Sequence, residues 1–199
     1  MWYDAYRAQV DAITAAARKF YRLRYQMSDG GNLSVRLPDR DLMIVKGTNI
    51  SFEETCAENL VLCDFDGNVQ AGNTAPSKEA LLHGALYRSL PEVGAVMHCH
   101  SPWATAWAAK HGTLEFSTHH ADLKFFHEVP VFDTHSYAVP KEYFPQITGY
   151  FQEHPQRNAF LLRGHGQVTM AKDMRKAAYL AELVEETAQI AFLSRLPQE

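Results

Sequence analysis

Two histidines two positions apart, His98 and His100, close the short apolar run Val93-Gly94-Ala95-Val96-Met97. In a strand, residues i and i+2 point to the same face. Both imidazoles would then aim at one point, with Cys99 turned the other way. Pro102 stops such a strand and suits the first turn of a helix through Trp103-Ala104-Thr105-Ala106-Trp107. Two converging neutral imidazoles can be two ligands of a divalent metal. They can equally be a hydrogen-bonded pair at the edge of a core, and the pair alone leaves both readings open.

Four other stretches carry residues able to do chemistry. Arg163-Gly164-His165-Gly166 places a third histidine between glycines, where little side-chain crowding keeps it from facing another group closely. Pro76-Ser77-Lys78-Glu79 opens a predicted helix with Ser77 as N-cap. Glu79 stands two residues after that cap, too early for a capping box. Its carboxylate either complements the helix dipole or is held at the helix start beside an anion-binding Ser and Lys. Lys46-Gly47-Thr48-Asn49 is a polar loop after a strand, of the kind that can cradle an anion with backbone N–H groups and hydroxyls. Thr118-His119-His120-Ala121-Asp122 reads as a polar loop.

The elements that must position these residues follow from hydrophobic periodicity. Residues 4–26 repeat apolar side chains every three or four positions and predict a helix. Ser28-Asp29-Gly30-Gly31-Asn32 breaks it, and Leu33-Ser34-Val35-Arg36-Leu37 and Leu42-Met43-Ile44-Val45 read as paired strands about a Pro38-Asp39-Arg40-Asp41 turn. Leu60-Val61-Leu62-Cys63 is a further strand before the Asp66-Gly67-Asn68 turn. The Ser77 helix runs to about Leu90, with Leu82, Ala85, Leu86 and Leu90 towards the core. Val129-Pro130-Val131-Phe132 reads as an edge strand because of its proline. Residues 140–153 read as a helix interrupted by Pro145 and Gly149, and Ala159-Phe160-Leu161-Leu162 as a buried strand delivering Arg163. Gln167-Val168-Thr169-Met170 returns as a strand, and residues 173–195 form a strongly amphipathic helix whose Glu182, Glu185 and Glu186 read as a solvated face. No repeat or linker divides residues 1–199, so one α/β domain is expected.

Composition narrows the function classes. A net charge of −4 with scattered Lys and Arg offers no nucleic-acid or anionic-membrane surface. No apolar run reaches transmembrane length and the start Met1-Trp2-Tyr3-Asp4 is not a signal peptide, so a cytoplasmic protein is expected. Cys56, Cys63 and Cys99 form no ribbon or redox motif and read as free thiols. Ten histidines are the unusual number, several of them clustered: His98, His100, His119, His120, His127, His135 and His165.

Taken in order, Gly31-Asn32-Leu33-Ser34, Lys46-Gly47-Thr48, Pro76-Ser77-Lys78-Glu79, His98-Cys99-His100-Ser101-Pro102 and Gly164-His165-Gly166 resemble the class II aldolase/adducin family. These landmarks span almost the whole chain. The resemblance implies a three-layer α/β/α fold around a mixed, largely antiparallel sheet, and a homotetramer with active sites between subunits. It implies zinc, or another divalent ion such as Mn2+ or Co2+, held by His98, His100 and His165, the three-histidine set of a catalytic rather than a structural site. Glu79 matches the family glutamate that acts as the proton-transferring base and also ligates the metal when the site is empty. Asn32, Gly47, Thr48 and Ser77 match the phosphate cup. Two positions depart from the pattern: Lys46 stands where a Thr or Ser is usual, and Lys78 replaces a second serine. Either lysine could bind phosphate or a substrate carboxylate, and Lys78 could equally be a solvated side chain or an interface ion pair.

The version Pro-Ser-Lys-Glu looks like the branch that decarboxylates 3-oxo-tetronate 4-phosphates. The glutamate favours a lyase acting on a small phosphorylated keto-sugar or keto-sugar acid, by aldol cleavage or decarboxylation through a metal-stabilised enediolate. Epimerases of ribulose phosphate carry an aspartate at that position and a C-terminal catalytic tyrosine, which has no counterpart before Glu199. The segment 118–122 resembles an epimerase loop whose aspartate reaches a neighbouring subunit's site, which makes Asp122 and His119 candidate acid/base groups. A methylthioribulose-phosphate dehydratase is a further enzymatic alternative. A non-catalytic adducin-like binding protein is the alternative of another class, but it would be expected to lose the histidines and glutamate that are intact here.

Overall fold

The computed structural model describes residues 1–38, 40–116, 118–126 and 128–197. His127, one of the clustered histidines, and the middle of the 38–41 turn lie outside the described residues. The strands are β1 (Asn32–Arg36), β2 (Leu42–Lys46), β3 (Leu60–Asp64), β4 (Val69–Ala71), β5 (Ala95–Cys99), β6 (Thr113–Leu114), β7 (Val129–Phe132), β8 (Ala159–Leu162) and β9 (Gly166–Ala171). They form one sheet in the order β4-β3-β2-β1-β5-β9-β8-β7-β6. Every pairing is antiparallel except β7 with β8. This is the mixed, mostly antiparallel α/β architecture expected from the sequence.

Among the described residues six α-helices cover the sheet: α1 (Arg7–Arg22), α2 (Ala80–Ser89), α3 (Pro102–Ala108), α4 (His119–Phe125), α5 (Phe144–Glu153) and α6 (Met174–Leu193). Strand alternation sorts the side chains between the two faces. Leu33 and Val35 of β1 with Ala95, Met97 and Cys99 of β5 pack against Ile13, Ala17 and Phe20 of α1 and Ala177 and Ala181 of α6. On the opposite face, Met43, Val45, Val96 and Val168 pack against Leu82 and Leu86 of α2 and Ile147 and Phe151 of α5. His98 shares the parity of Val96, so β5 presents it to the layer that contains α2.

Several expectations are corrected. The first helix ends at Arg22, where Arg24 takes a left-handed φ of 60°. The 118–122 stretch is not a loop: the Thr118 hydroxyl accepts the Ala121 N–H as an N-cap, and Ala121 and Phe125 bury the inner face of α4. Pro145 opens α5 rather than interrupting it, since the first turn of a helix needs no proline N–H. β7 is not at the edge, because the two-residue β6 pairs outside it and joins Thr113 to Pro130. The α6 glutamates are not a uniform solvated face. Glu185 is buried and accepts the N–H groups of Trp103 and Ala104, both at 2.9 Å, at the start of α3, while Glu182 pairs with Lys19 at 2.5 Å. Of the three only Glu186 is exposed.

Candidate active site

His98 and His100 stand at the end of β5, His98 within it and His100 one residue past it. β5 runs antiparallel to β9, and the turn 163–165 that enters β9 carries His165 to the same end of the sheet. Gly164 adopts φ +63° in this turn, a backbone angle that favours glycine. Gly166 is needed for closeness, since a Cβ there would lie 2.5 Å from the Cys99 carbonyl oxygen.

The three imidazoles meet through their Nε2 atoms. His98 Nε2 lies 3.0 Å from His100 Nε2 and 3.2 Å from His165 Nε2. Glu79 Oε2 approaches the same His98 nitrogen at 3.2 Å. Nitrogens bound at about 2.05 Å to a tetrahedral zinc stand about 3.3 Å apart, close to the two spacings from His98, and the three ligand atoms all lie within 4.8 Å of one another. Among the described residues this is the one cluster of three or more His, Cys, Asp or Glu able to hold a metal.

The surroundings leave these nitrogens able to act as ligands. His98 Nδ1 lies 2.9 Å from the Gln167 carbonyl, an acceptor, so Nδ1 carries the proton and Nε2 presents its lone pair. Burial, then the neighbouring His100, pushes His98 down to about 3. Burial, then His98, pushes His165 down to about 4, and burial also lowers His100. All three are neutral at pH 7, the form that binds metal.

Glu79 precedes the first turn of α2 and is buried. Asn32 Nδ2 donates to its Oε2 at 3.0 Å, while Oε1 has no partner among the described residues. Asn32 pairs with His98 across β1 and β5, so the residue that holds the carboxylate lies beside the histidine the carboxylate meets. Gln26 was not singled out by the sequence reading. Its Oε1 accepts the His100 N–H at 2.8 Å and fixes the backbone of that histidine. No motif marks it, because it reaches the site from the turn that follows α1.

The remaining candidates divide. Ser77 is not the N-cap of α2; its carbonyl accepts the Ala80 N–H and the helix begins at Ala80, which leaves the Ser77 hydroxyl uncommitted to capping. The expected cradle of backbone N–H groups is closed within the chain: Gly47 N donates to Asn59, Thr48 N to Ala75 and Ser77 N to Lys46. The groups at this loop left for an anion to meet are the hydroxyls of Thr48 and Ser77 and the Lys78 ammonium. Lys78 is exposed, with its Nζ 5.7 Å from the Tyr137 ring. Lys46 is buried and donates to the carbonyls of Asp29 and Ile50, tying two loops together, and burial pushes it down to about 8.

α4 is not built into this cluster. Its His120 and Lys124 line a cavity with Leu90, Pro91, Val93 and Lys172, at the start of β5 and the end of β9, the sheet end opposite His98. His119 is exposed and Asp122 half-buried on that helix.

The chain is 33% identical to the 3-oxo-tetronate 4-phosphate decarboxylase of Haemophilus influenzae over 189 residues, covering 93% of this chain and 87% of that protein. It is 31% identical to the L-ribulose-5-phosphate 4-epimerase UlaF of Salmonella paratyphi B over 180 residues, covering 83% and 75%. Among solved structures, an L-fuculose 1-phosphate aldolase superposes with a TM-score of 0.84 at 26% identity, covering 96% of this chain and 91% of the other. Residues 11–192 match the family described as Class II Aldolase and Adducin N-terminal domain, and the chain belongs to that family.

Proposed function

We propose that this protein is a zinc-dependent carbon–carbon lyase acting on a small phosphorylated keto-sugar or keto-sugar acid. The observation that carries the reading is the convergence of His98, His100 and His165 through Nε2 with Glu79 against the same nitrogen. The three histidines would hold the ion, which supplies a positive centre for the negative charge that develops on substrate oxygen as a carbon–carbon bond breaks. Glu79 is the proton-transferring group: Asn32 holds Oε2, and the unpartnered Oε1 is the oxygen left to give or take a proton. The hydroxyls of Thr48 and Ser77, with the Gly47 turn, Asn32 and the Lys78 ammonium, form the side of the site that takes the phosphate. Lys78 stands one residue from Glu79 and adds a cation suited to an acid substrate.

Decarboxylation is the favoured reaction within this class, supported by the likeness to the Haemophilus influenzae decarboxylase. A homotetramer in the cytoplasm is part of the same reading. It would let His119 or Asp122 of one copy serve as acid/base at another copy's site.

The test is metal content together with a panel of pentulose, tetrulose and keto-acid phosphates. Carbon dioxide plus a keto-sugar phosphate is the expected product pair; an aldehyde plus dihydroxyacetone phosphate would assign aldol cleavage instead. His98→Ala or His100→Ala should remove bound zinc and turnover together, and full turnover in metal-stripped protein would overturn the mechanism.

A further inference from the structure

The face of α2 turned to β1 is polar for two turns beyond Glu79. Glu79, His83 and Tyr87 recur every fourth residue and make one stripe along the helix. Asn32, Ser34 and Arg36 recur every second residue and make one stripe along the strand. The stripes meet rung by rung. Asn32 bonds Glu79 at 3.0 Å, Ser34 Oγ lies 2.7 Å from both His83 Nδ1 and the Tyr87 hydroxyl, and Arg36 donates to the Tyr87 carbonyl at 3.0 Å. Ser34, His83 and Tyr87 are fully buried. Apolar side chains would fill this space with less desolvation, but they tolerate sliding, whereas hydrogen bonds at fixed points admit one register.

Counting protons fixes the direction of the chain. The Tyr87 O–H donates to the Ser34 carbonyl at 2.9 Å. With that proton used, the 2.7 Å contact between the two hydroxyls requires Ser34 to donate to Tyr87. Ser34 Oγ then has no proton for the imidazole and accepts from His83 Nδ1–H. His83 is therefore the Nδ1–H tautomer, and its buried Nε2 has no partner among the described residues. Burial keeps the ring neutral, pushing it down to about 3.

We propose that His83 is a positioning residue for Glu79: its Nδ1–H, given to Ser34 and locked through Ser34 to Tyr87, sets the register of α2 on β1 that holds the Glu79 carboxylate against His98. The proposal rests on the reading of Glu79 and the three histidines as a metal site. His83 touches neither substrate nor reacting atoms.

Zinc affinity, measured by competition with a chromophoric chelator, and unfolding midpoints test it in one series. Asparagine can place an amide N–H where Nδ1 stands, while glutamine places its amide where Nε2 stands. His83→Asn is expected to bind Zn2+ within about threefold of the unaltered protein. His83→Gln and Ser34→Ala are expected to bind it at least about tenfold more weakly while still folding cooperatively, the size seen when groups that orient metal ligands are removed. Equal zinc affinity in all variants would overturn the proposal, as would rescue by Gln but not Asn. So would weakening that merely tracks lost stability across all three. If the unaltered protein binds no zinc, the metal-site reading itself fails, a result distinct from these.

Discussion

At the scale of single residues, the convergence of the three histidines was legible because local rules point at it. Strand alternation aims His98 and His100 together, and of the glycines flanking His165, Gly166 allows close approach to β5 while Gly164 supplies the left-handed turn. Glu79 was legible only through the family resemblance, since a carboxylate at a helix start is common. His83, Gln26 and Gln167 were not legible: each acts through a partner distant in sequence, and nothing local distinguishes it from an ordinary core or helix-end residue. The division of labour between ligands and base gives a residue-scale prediction. Glu79→Gln keeps the Asn32 contact and the side-chain volume but removes the proton acceptor. At saturating Zn2+ the variant should still load one ion per chain, while kcat falls about 10²- to 10⁴-fold with a small change in KM. Metal analysis with steady-state kinetics checks this, and an unchanged kcat would remove Glu79 from proton transfer.

At the scale of elements, β1 shows why pattern reading stops short. Asn-Leu-Ser-Val-Arg alternates as a half-exposed strand should, with one apolar and one polar face. The polar face is nevertheless buried, Asn32 at 4% exposure and Ser34 at 0%, because α2 covers it with polar groups of its own. The same kind of error placed Glu185 in solvent: helical period cannot distinguish a solvated carboxylate from one that caps a neighbouring helix. The seating of α2 also depends on Gly84, where an added Cβ would lie 2.0 Å from the Phe65 carbonyl oxygen. Two effects oppose each other in Gly84→Ala. Helix propensity favours alanine by about 1 kcal/mol, while forcing extra volume into a packed contact costs about 1–3 kcal/mol. The obstacle is backbone rather than a flexible side-chain tip, so the clash should win. The expected outcome is a net loss of stability in denaturant unfolding, with lower turnover because α2 carries Glu79.

At the scale of the whole molecule, the mixed, largely antiparallel sheet followed from the family resemblance. Strand order did not, because β5 pairs with β1 and β9, partners some 60 or more residues away whose meeting no local pattern specifies. That long-range pairing gathers the site into an interior where burial holds several histidines neutral, and this gives the fold a pH response. His83 and His98 sit at about 3 and His165 at about 4, whereas in the unfolded chain each would titrate near 6.5. Between those limits the unfolded chain binds more protons than the folded one. Unfolding free energy therefore rises with pH across the window and is withdrawn as pH falls from about 6.5 towards 4 and 3. Zinc held by the three histidines would act with the same sign, because protons compete for its ligands and the ion would stabilise only the folded chain. Metal-free protein should show a level Tm between pH 7 and 8 and a falling one from pH 6.5 to 5. Added Zn2+ should raise Tm at pH 7.5 by an increment that shrinks at pH 5.5. Thermal scans of both forms across this range measure it. A level Tm down to pH 5 without metal would mean that the buried histidines do not resist protonation, and the neutral ligand set that defines this site would have to be abandoned.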